Sequence, residues 1–212
     1  MTNPGNLALE NVVVRLGNRV LVSIDTRIAP GEVFTVMGPS GSGKSTLLAY
    51  IAGFLDPAFT GSGRVVYAGR DLTLLPPERR KAGLLFQDAL LFPHMSVGQN
   101  LMFAIPAGGN AKARREVCEA ALQEAGLGGF FDRDPATLSG GQKARAALMR
   151  ILLSEPGILL LDEPFSRLDA DLRTHVRSFV FAEARSRQLP VLLVTHDIED
   201  ARDANGPVLE LG

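Results

Sequence analysis

The chain has 212 residues, 46% of them hydrophobic, and its 22 Lys and Arg against 23 Asp and Glu leave a formal net charge of -1. This is enough chain to bury a substantial core in one compact domain with subdomains, and too little for two full domains. A near-neutral sequence with no long Lys/Arg block lacks the basic stripe through which nucleic acid is held, so no nucleic-acid partner is expected.

The opening stretch MTNPGNLALENV has no basic region followed by an apolar core, so no secretory leader is expected. LALENVVVRL and RVLVSIDTRIAPGE are β-branched runs separated by a turn at Gly17 and Asn18, with a second turn at Pro30-Gly31, which predicts an antiparallel opening. EVFTVMG reads as a buried strand, GPSGSGKST as a Gly-rich loop, and KSTLLAYIAG as a helix ending at Gly53. SGRVVYAGRDL predicts another strand with a Gly turn, and KAGLLFQ a core strand ending at Gln87.

From Asp88 to about Ser154 the pattern turns helical, in MSVGQNLMFA, AKARREVCEAALQEAG and GGQKARAALMRILLSE. The only cysteine, Cys118, falls there on the periodicity of Val117, Ala121, Leu122 and Ala125. It excludes a disulfide within the chain, fits a reducing compartment and reads as a small packing residue. GILLLDEP, ADLRTHVRSFVFAEARSRQ and PVLLVTHD then restore a strand-helix-strand rhythm, which implies parallel strands in an α/β sheet. The longest apolar runs are strand-length, far below the roughly 20 residues that span a bilayer, so any membrane role must be borrowed from a partner.

Two segments read as phosphate cradles. In the first, Gly38, Gly43, Lys44 and Ser45 match G-x-x-x-x-G-K-[ST] between a predicted strand and a predicted helix, the context this motif requires. Backbone N–H groups from Gly38, Pro39, Ser40, Gly41, Ser42, Gly43 and the helix start through Thr46 form the candidate ATP-binding loop, save that Pro39 has no N–H. Lys44 reaches the β- and γ-phosphates, and the Ser45 hydroxyl is a candidate Mg²⁺ ligand. The motif arises by chance in on the order of one chain of this length in a hundred. ILLLDE, Ile158 to Glu163, is a buried strand that delivers two carboxylates to the crevice where α/β sheets bind ligands. Asp162 is placed to hold the Mg²⁺ shell and Glu163 to polarise an attacking water. Thr195 and His196 end another apolar strand at the same sheet edge, and Gln87 is a polar strand-end residue able to orient water or touch Mg²⁺.

The second cradle is ATLSGGQKAR, which has a Ser and two glycines at a helix start and no catalytic acid or base. LSGGQ arises by chance in about one such chain in several thousand. Together with the first cradle, Gln87, LLLDEP, SRLD at Ser166 to Asp169 and VTHD, it resembles the ATP-binding cassette of ABC transporters over nearly the whole chain. The resemblance implies that two cassettes close head to tail around two ATP molecules, each nucleotide lying between one subunit's P-loop and the other's signature segment. It further implies that Ser139, Gly140, Gly141 and Gln142 face the partner's γ-phosphate, that Gln87 is the Q-loop residue, that Asp169 belongs to a D-loop communicating across the dimer, and that His196 holds the γ-phosphate. QDALLFPHMSVGQNL matches the place where the family receives permease coupling helices, with Leu90, Leu91, Phe92 and Met95 as candidate exposed contacts.

Three features depart from the family pattern. Leu16 stands where many cassettes stack an aromatic ring on adenine, and it offers apolar contact without a π face. Arg167 replaces the commoner Ala of the D-loop, a charge that adjusts dimer closure or pairs with an acid across it. The sequence after His196 is short, so no accessory regulatory domain is expected.

The expected fold is α/β: a P-loop NTPase of RecA-like core with a mostly parallel sheet, an antiparallel β subdomain over about residues 7–33 and 63–72, and a helical insertion over about 88–154. The resemblance implies an ATPase using ATP and Mg²⁺ to energise a bacterial importer. Its implied partners are a second copy of itself, membrane permease subunits and a periplasmic binding protein, on the cytoplasmic face of the inner membrane. An exporter or lipoprotein-release ATPase and a soluble non-transport ABC ATPase are the alternatives.

Overall fold

The computed structural model describes residues 5–211, which form two compact units. The first comprises residues 5–84, 157–163 and 181–211; the second comprises residues 85–156 and 164–180.

The first unit opens with β1 (Leu7–Leu16) and β2 (Arg19–Ile28), joined at Gly17-Asn18 so that Leu16 pairs with Arg19. After β3 (Val33–Met37) and α1 (Lys44–Ala52), β4 (Phe59–Tyr67) and β5 (Arg70–Asp71) complete a four-stranded antiparallel sheet of order β2-β1-β4-β5. β4 starts three residues before the expected SGRVV segment, because Phe59 and Thr60 find partners in Leu16 and Arg15. The glycines of FTGSG have little strand preference of their own; the neighbouring strand supplies the ladder.

A five-stranded sheet runs β6-β7-β8-β3-β9. β6 is Ala82–Leu85, β7 Ile158–Asp162, β8 Val191–Thr195 and β9 Val208–Glu210. β3 is parallel to β8 and β9, and β7 is parallel to β8. The sequences VFTVM, ILLLD and VLLVT are near-continuous apolar runs because strands in such a sheet are covered on both faces. Leu9, Val14 and Val22 of the first sheet, Leu47, Leu48 and Ile51 of α1, and Leu160, Leu192 and Val194 of the second share one buried core. Buried Arg80 closes the far end of α1: its guanidinium donates to the Tyr50 and Ile51 carbonyls of the last turn and to those of Thr73 and Leu75.

The second unit carries α2 (Val97–Ala104), α3 (Ala111–Glu124), α4 (Gly140–Leu153) and the first part of α5 (Ala170–Ser186). Val97, Leu101, Leu122 and Leu148 are buried, as is Cys118, whose thiol burial pushes up to about 11. It is the inert packing residue expected.

The expected elements are present with small shifts. β6 stops at Leu85, so Gln87 lies two residues beyond the strand and not at its last position. α6 (Ile198–Ala204) and β9, after His196, were not anticipated, being too short to show a periodicity. Among the described residues no helix is long and apolar enough to cross a membrane.

Candidate nucleotide-binding site

β3 feeds the Gly-rich loop directly into α1, and Gly43 turns the chain at a left-handed φ of 96°. No side chain caps α1 and its first turn holds no acid, so its N-terminal N–H groups and the positive end of its dipole are offered to an anion. Lys44 is 5% exposed, and its Nζ donates to the Gly38 and Pro39 carbonyls at 2.8 and 2.9 Å. Ser45 Oγ donates to Asp162 Oδ1 at 2.8 Å, joining residues 117 positions apart. Burial holds the Asp162 carboxyl above its usual pKa; the Ser45 hydrogen bond opposes this, the Glu163 charge adds to it and Lys44 opposes it.

Glu163 follows β7 in the left-handed region, at φ 44°. For a residue with a Cβ this costs on the order of 1–2 kcal/mol. Its N–H donates to Val194 O of β8 at 3.0 Å, which holds the turn. The side chain then lies with Oε1 3.9 Å from Lys44 Nζ and Oε2 3.1 Å from His196 Nδ1. A carboxylate only accepts, so this contact places a proton on Nδ1. The order β7-β8-β3 brings Lys44, Asp162, Glu163 and His196 together from three strand ends. Sequence reading missed the far wall: Leu211 donates its N–H to Met37 O at 2.8 Å, and Met37, Gly38, Pro39, His196, Glu210 and Leu211 line one concavity. Leu16 is 47% exposed and ends β1 beside Arg19 and Phe59.

The second cradle lies in the other unit. Ser139 Oγ accepts from Gln142 N at 3.3 Å, while Gln142 Oε1 accepts from Ser139 N at 2.9 Å, a reciprocal capping box at the start of α4. A Cβ at Gly141 would lie 2.6 Å from Leu172 side-chain atoms, so a larger residue there would force Leu172 to shift. Asp169 caps α5 by accepting from Leu172 N at 2.9 Å. Arg167 forms an ion pair with Asp88 of its own chain. Gln87, Asp88, Gly140, Lys143, Arg167 and Leu168 are among the residues lining a cavity of about 130 Å³.

The segment after Gln87 is held from beneath. Asn100, fully buried, accepts from Phe92 N at 2.7 Å and donates to the Phe92 and Ser96 carbonyls, while Arg150 donates to Leu90 O at 2.8 Å. Leu90 is exposed, Leu91, Phe92 and Met95 are half-buried, and Phe92 packs edge-on against exposed Phe103 at 5.2 Å.

A mostly parallel sheet presenting a P-loop lysine, a Ser–Asp oxygen pair and a Glu–His pair at its strand ends defines a P-loop ATPase. Residues 21–166 match the family model described as ABC transporter, and the chain belongs to that family as an ATP-binding subunit that hydrolyses ATP. It is 48% identical over 206 residues to the "Uncharacterized ABC transporter ATP-binding protein YnjD" of Escherichia coli K12, covering 97% of this chain and 94% of that one. It is 46% identical over 197 residues to the thiamine import ATP-binding protein ThiQ of Cereibacter sphaeroides, covering 92% and 84% respectively. With the Fe(3+) ions import ATP-binding protein FbpC of Brucella abortus it shares 41% over 200 residues, 93% of this chain but only 56% of that relative.

Proposed function

We propose that this chain is the ATP-hydrolysing subunit of a bacterial importer, in which two copies close head to tail around ATP and drive a membrane permease on the cytoplasmic face of the inner membrane. The division of the motif set carries the reading. Lys44, Asp162, Glu163 and His196 converge in one unit, whereas Ser139 to Gln142 open a helix in the other with no acid or base of their own. A signature segment without chemistry makes sense when a second copy supplies the nucleotide it contacts. ATP then favours closure because the closed pair touches it more extensively than the open pair does. The import direction is supported by the thiamine and Fe(3+) import relatives. A periplasmic binding protein would complete such a system.

Within the site, Lys44 supplies positive charge to the β- and γ-phosphates. Glu163 accepts a hydrogen bond from the attacking water and takes its proton as the bridge to the γ-phosphorus breaks, leaving ADP and phosphate. His196 holds the γ-phosphate. Ser45 and Asp162 fit a magnesium site: both offer oxygen, and among the described residues no cluster of three or more His, Cys, Asp or Glu forms a dedicated metal cage. Mg²⁺ keeps several waters and shares phosphate oxygens, so a pair of protein oxygens matches its needs. When bound, it neutralises charge on the phosphates.

Glu163→Gln tests the reading. Turnover should fall to background while millimolar ATP converts the variant to a stable dimer by light scattering; turnover near that of the parent assigns the water to another residue. For direction, cells lacking the chain should lose uptake of a labelled solute, unrestored by Glu163→Gln. Intact uptake with impaired export or lipoprotein release would overturn import.

A further inference from the structure

We infer that Asp200, on the first turn of α6, is a positioning residue for hydrolysis that acts through His196. The inference rests on the assignment of Glu163 and His196 to the hydrolytic site.

Thr195 and Asp200 are each 2% exposed, in a turn that carries a half-exposed histidine between them. A carboxylate is taken out of water only where hydrogen bonds hold it. Here Thr195 Oγ1 donates its proton to Asp200 Oδ2 at 2.8 Å. A threonine hydroxyl has one proton to give, and with that proton committed its lone pairs are left to accept. One of them accepts the Asp197 N–H at 3.0 Å, so a single hydroxyl spans His196 and closes the backbone on both sides of it. The Asp197 carboxylate accepts the Glu199 N–H at 2.9 Å, which fixes the entry to α6 and with it the place of Asp200.

The other end of the arrangement is anchored on the same strand. Thr195 is the last residue of β8, and Val194 of that strand accepts the Glu163 N–H at 3.0 Å. The two partners of the His196 Nδ1 to Glu163 Oε2 contact are therefore hung from neighbouring residues of one strand, Glu163 through its peptide and His196 through the Thr195 hydroxyl. Without Asp200 the hydroxyl can turn its proton elsewhere, and the histidine turn loses its lock. For packing alone, valine would serve at position 195; the hydroxyl is needed for the polar chain.

The experiment uses the full chain and Mg-ATP, with Asp200→Ala, Asp200→Asn and Thr195→Val, each alone and in a His196→Ala background. Losing one net hydrogen bond at the site predicts a kcat about five- to tenfold lower in Asp200→Ala and Thr195→Val, with KM for ATP within about twofold. Asp200→Asn keeps an acceptor for the hydroxyl and should return kcat to within about twofold of the parent. In the His196→Ala background, Asp200→Ala should add less than about twofold, because the group it positions is gone. A second readout needs no nucleotide. The chain has 3 histidines, so the imidazole ¹⁵N signal lost in His196→Ala identifies itself, and Asp200→Ala should shift that signal and leave the other two in place.

Equal losses of kcat with and without His196, a parental kcat in Asp200→Ala, or an unmoved His196 signal would each overturn the inference. If Asp200→Ala does not fold, Thr195→Val against Asp200→Asn carries the same comparison. Parental turnover in His196→Ala would instead remove the histidine's hydrolytic role, and the ¹⁵N readout then decides the positioning by itself.

Discussion

The signature serine offers a controlled separation of structure from chemistry, because the chain carries the same device twice. Ser139 and Gln142 cap α4 with Oγ to N at 3.3 Å and Oε1 to N at 2.9 Å; Ser96 and Gln99 cap α2 with 3.2 and 2.8 Å. Replacing either serine by alanine removes one acceptor from the third helical N–H and leaves the glutamine in place. Each should cost about 1 kcal/mol in urea unfolding, within the roughly 0.5–2 kcal/mol of such caps. Their effects on hydrolysis should part. If Ser139 also meets the partner's phosphate, a charge-assisted contact of about 1.5–3 kcal/mol is lost as well, which lowers kcat roughly 10- to 100-fold. Ser96→Ala should keep kcat within about twofold, and both variants should bind ATP as monomers with parental affinity in equilibrium dialysis. Equal kcat losses would reduce the signature serine to a helix cap, and loss of monomer binding in Ser139→Ala would place it on its own subunit's nucleotide.

Further outcomes follow from the buried charges. Burial holds Asp162 above its usual pKa, so the stability this group contributes is complete at acid pH and is lost as pH rises through the raised value. Asp162→Asn should therefore melt above the parent at pH 7 and with it near pH 3, while losing Mg²⁺-dependent turnover; a constant difference in Tm across that range would refute the reasoning. Arg80→Met removes the donor shared by four backbone carbonyls at and beside the end of α1. It should cost about 2–4 kcal/mol by urea denaturation, and a loss under about 1 kcal/mol would show that water replaces the guanidinium.

The two cradles differed in how far the sequence could take them. GPSGSGKST was legible because its function is local: a strand, a turn that needs Gly43 in the left-handed region, and a helix whose first N–H groups are left for an anion. LSGGQ was legible as a family resemblance, yet its Ser-x-x-Gln spacing is also the signal of a capping box, as is SVGQ at Ser96 to Gln99, and neither was read that way. The family resemblance puts Arg167 in a segment implied to face a dimer interface, but its partner within the chain, Asp88, lies 79 positions away and shows only in the folded chain.

The sequence by itself determined most of the elements and the polar groups of the site, though not α6, β9 or the wall at Leu211. Apolar runs of strand length, helical periodicity, glycines at a turn, and carboxylates at the end of ILLLD are consequences of nearest-neighbour chemistry and survive in any fold that keeps them. The tertiary structure decided which of these groups meet. The left-handed turn at Glu163, its approach to Lys44 and His196, the Thr195–Asp200 lock and the seating of Leu211 beside Gly38 depend on the strand order β7-β8-β3-β9. That order is set by how whole strands and helices pack over a shared core, a sum over contacts distant in the chain, and no local pattern carries it.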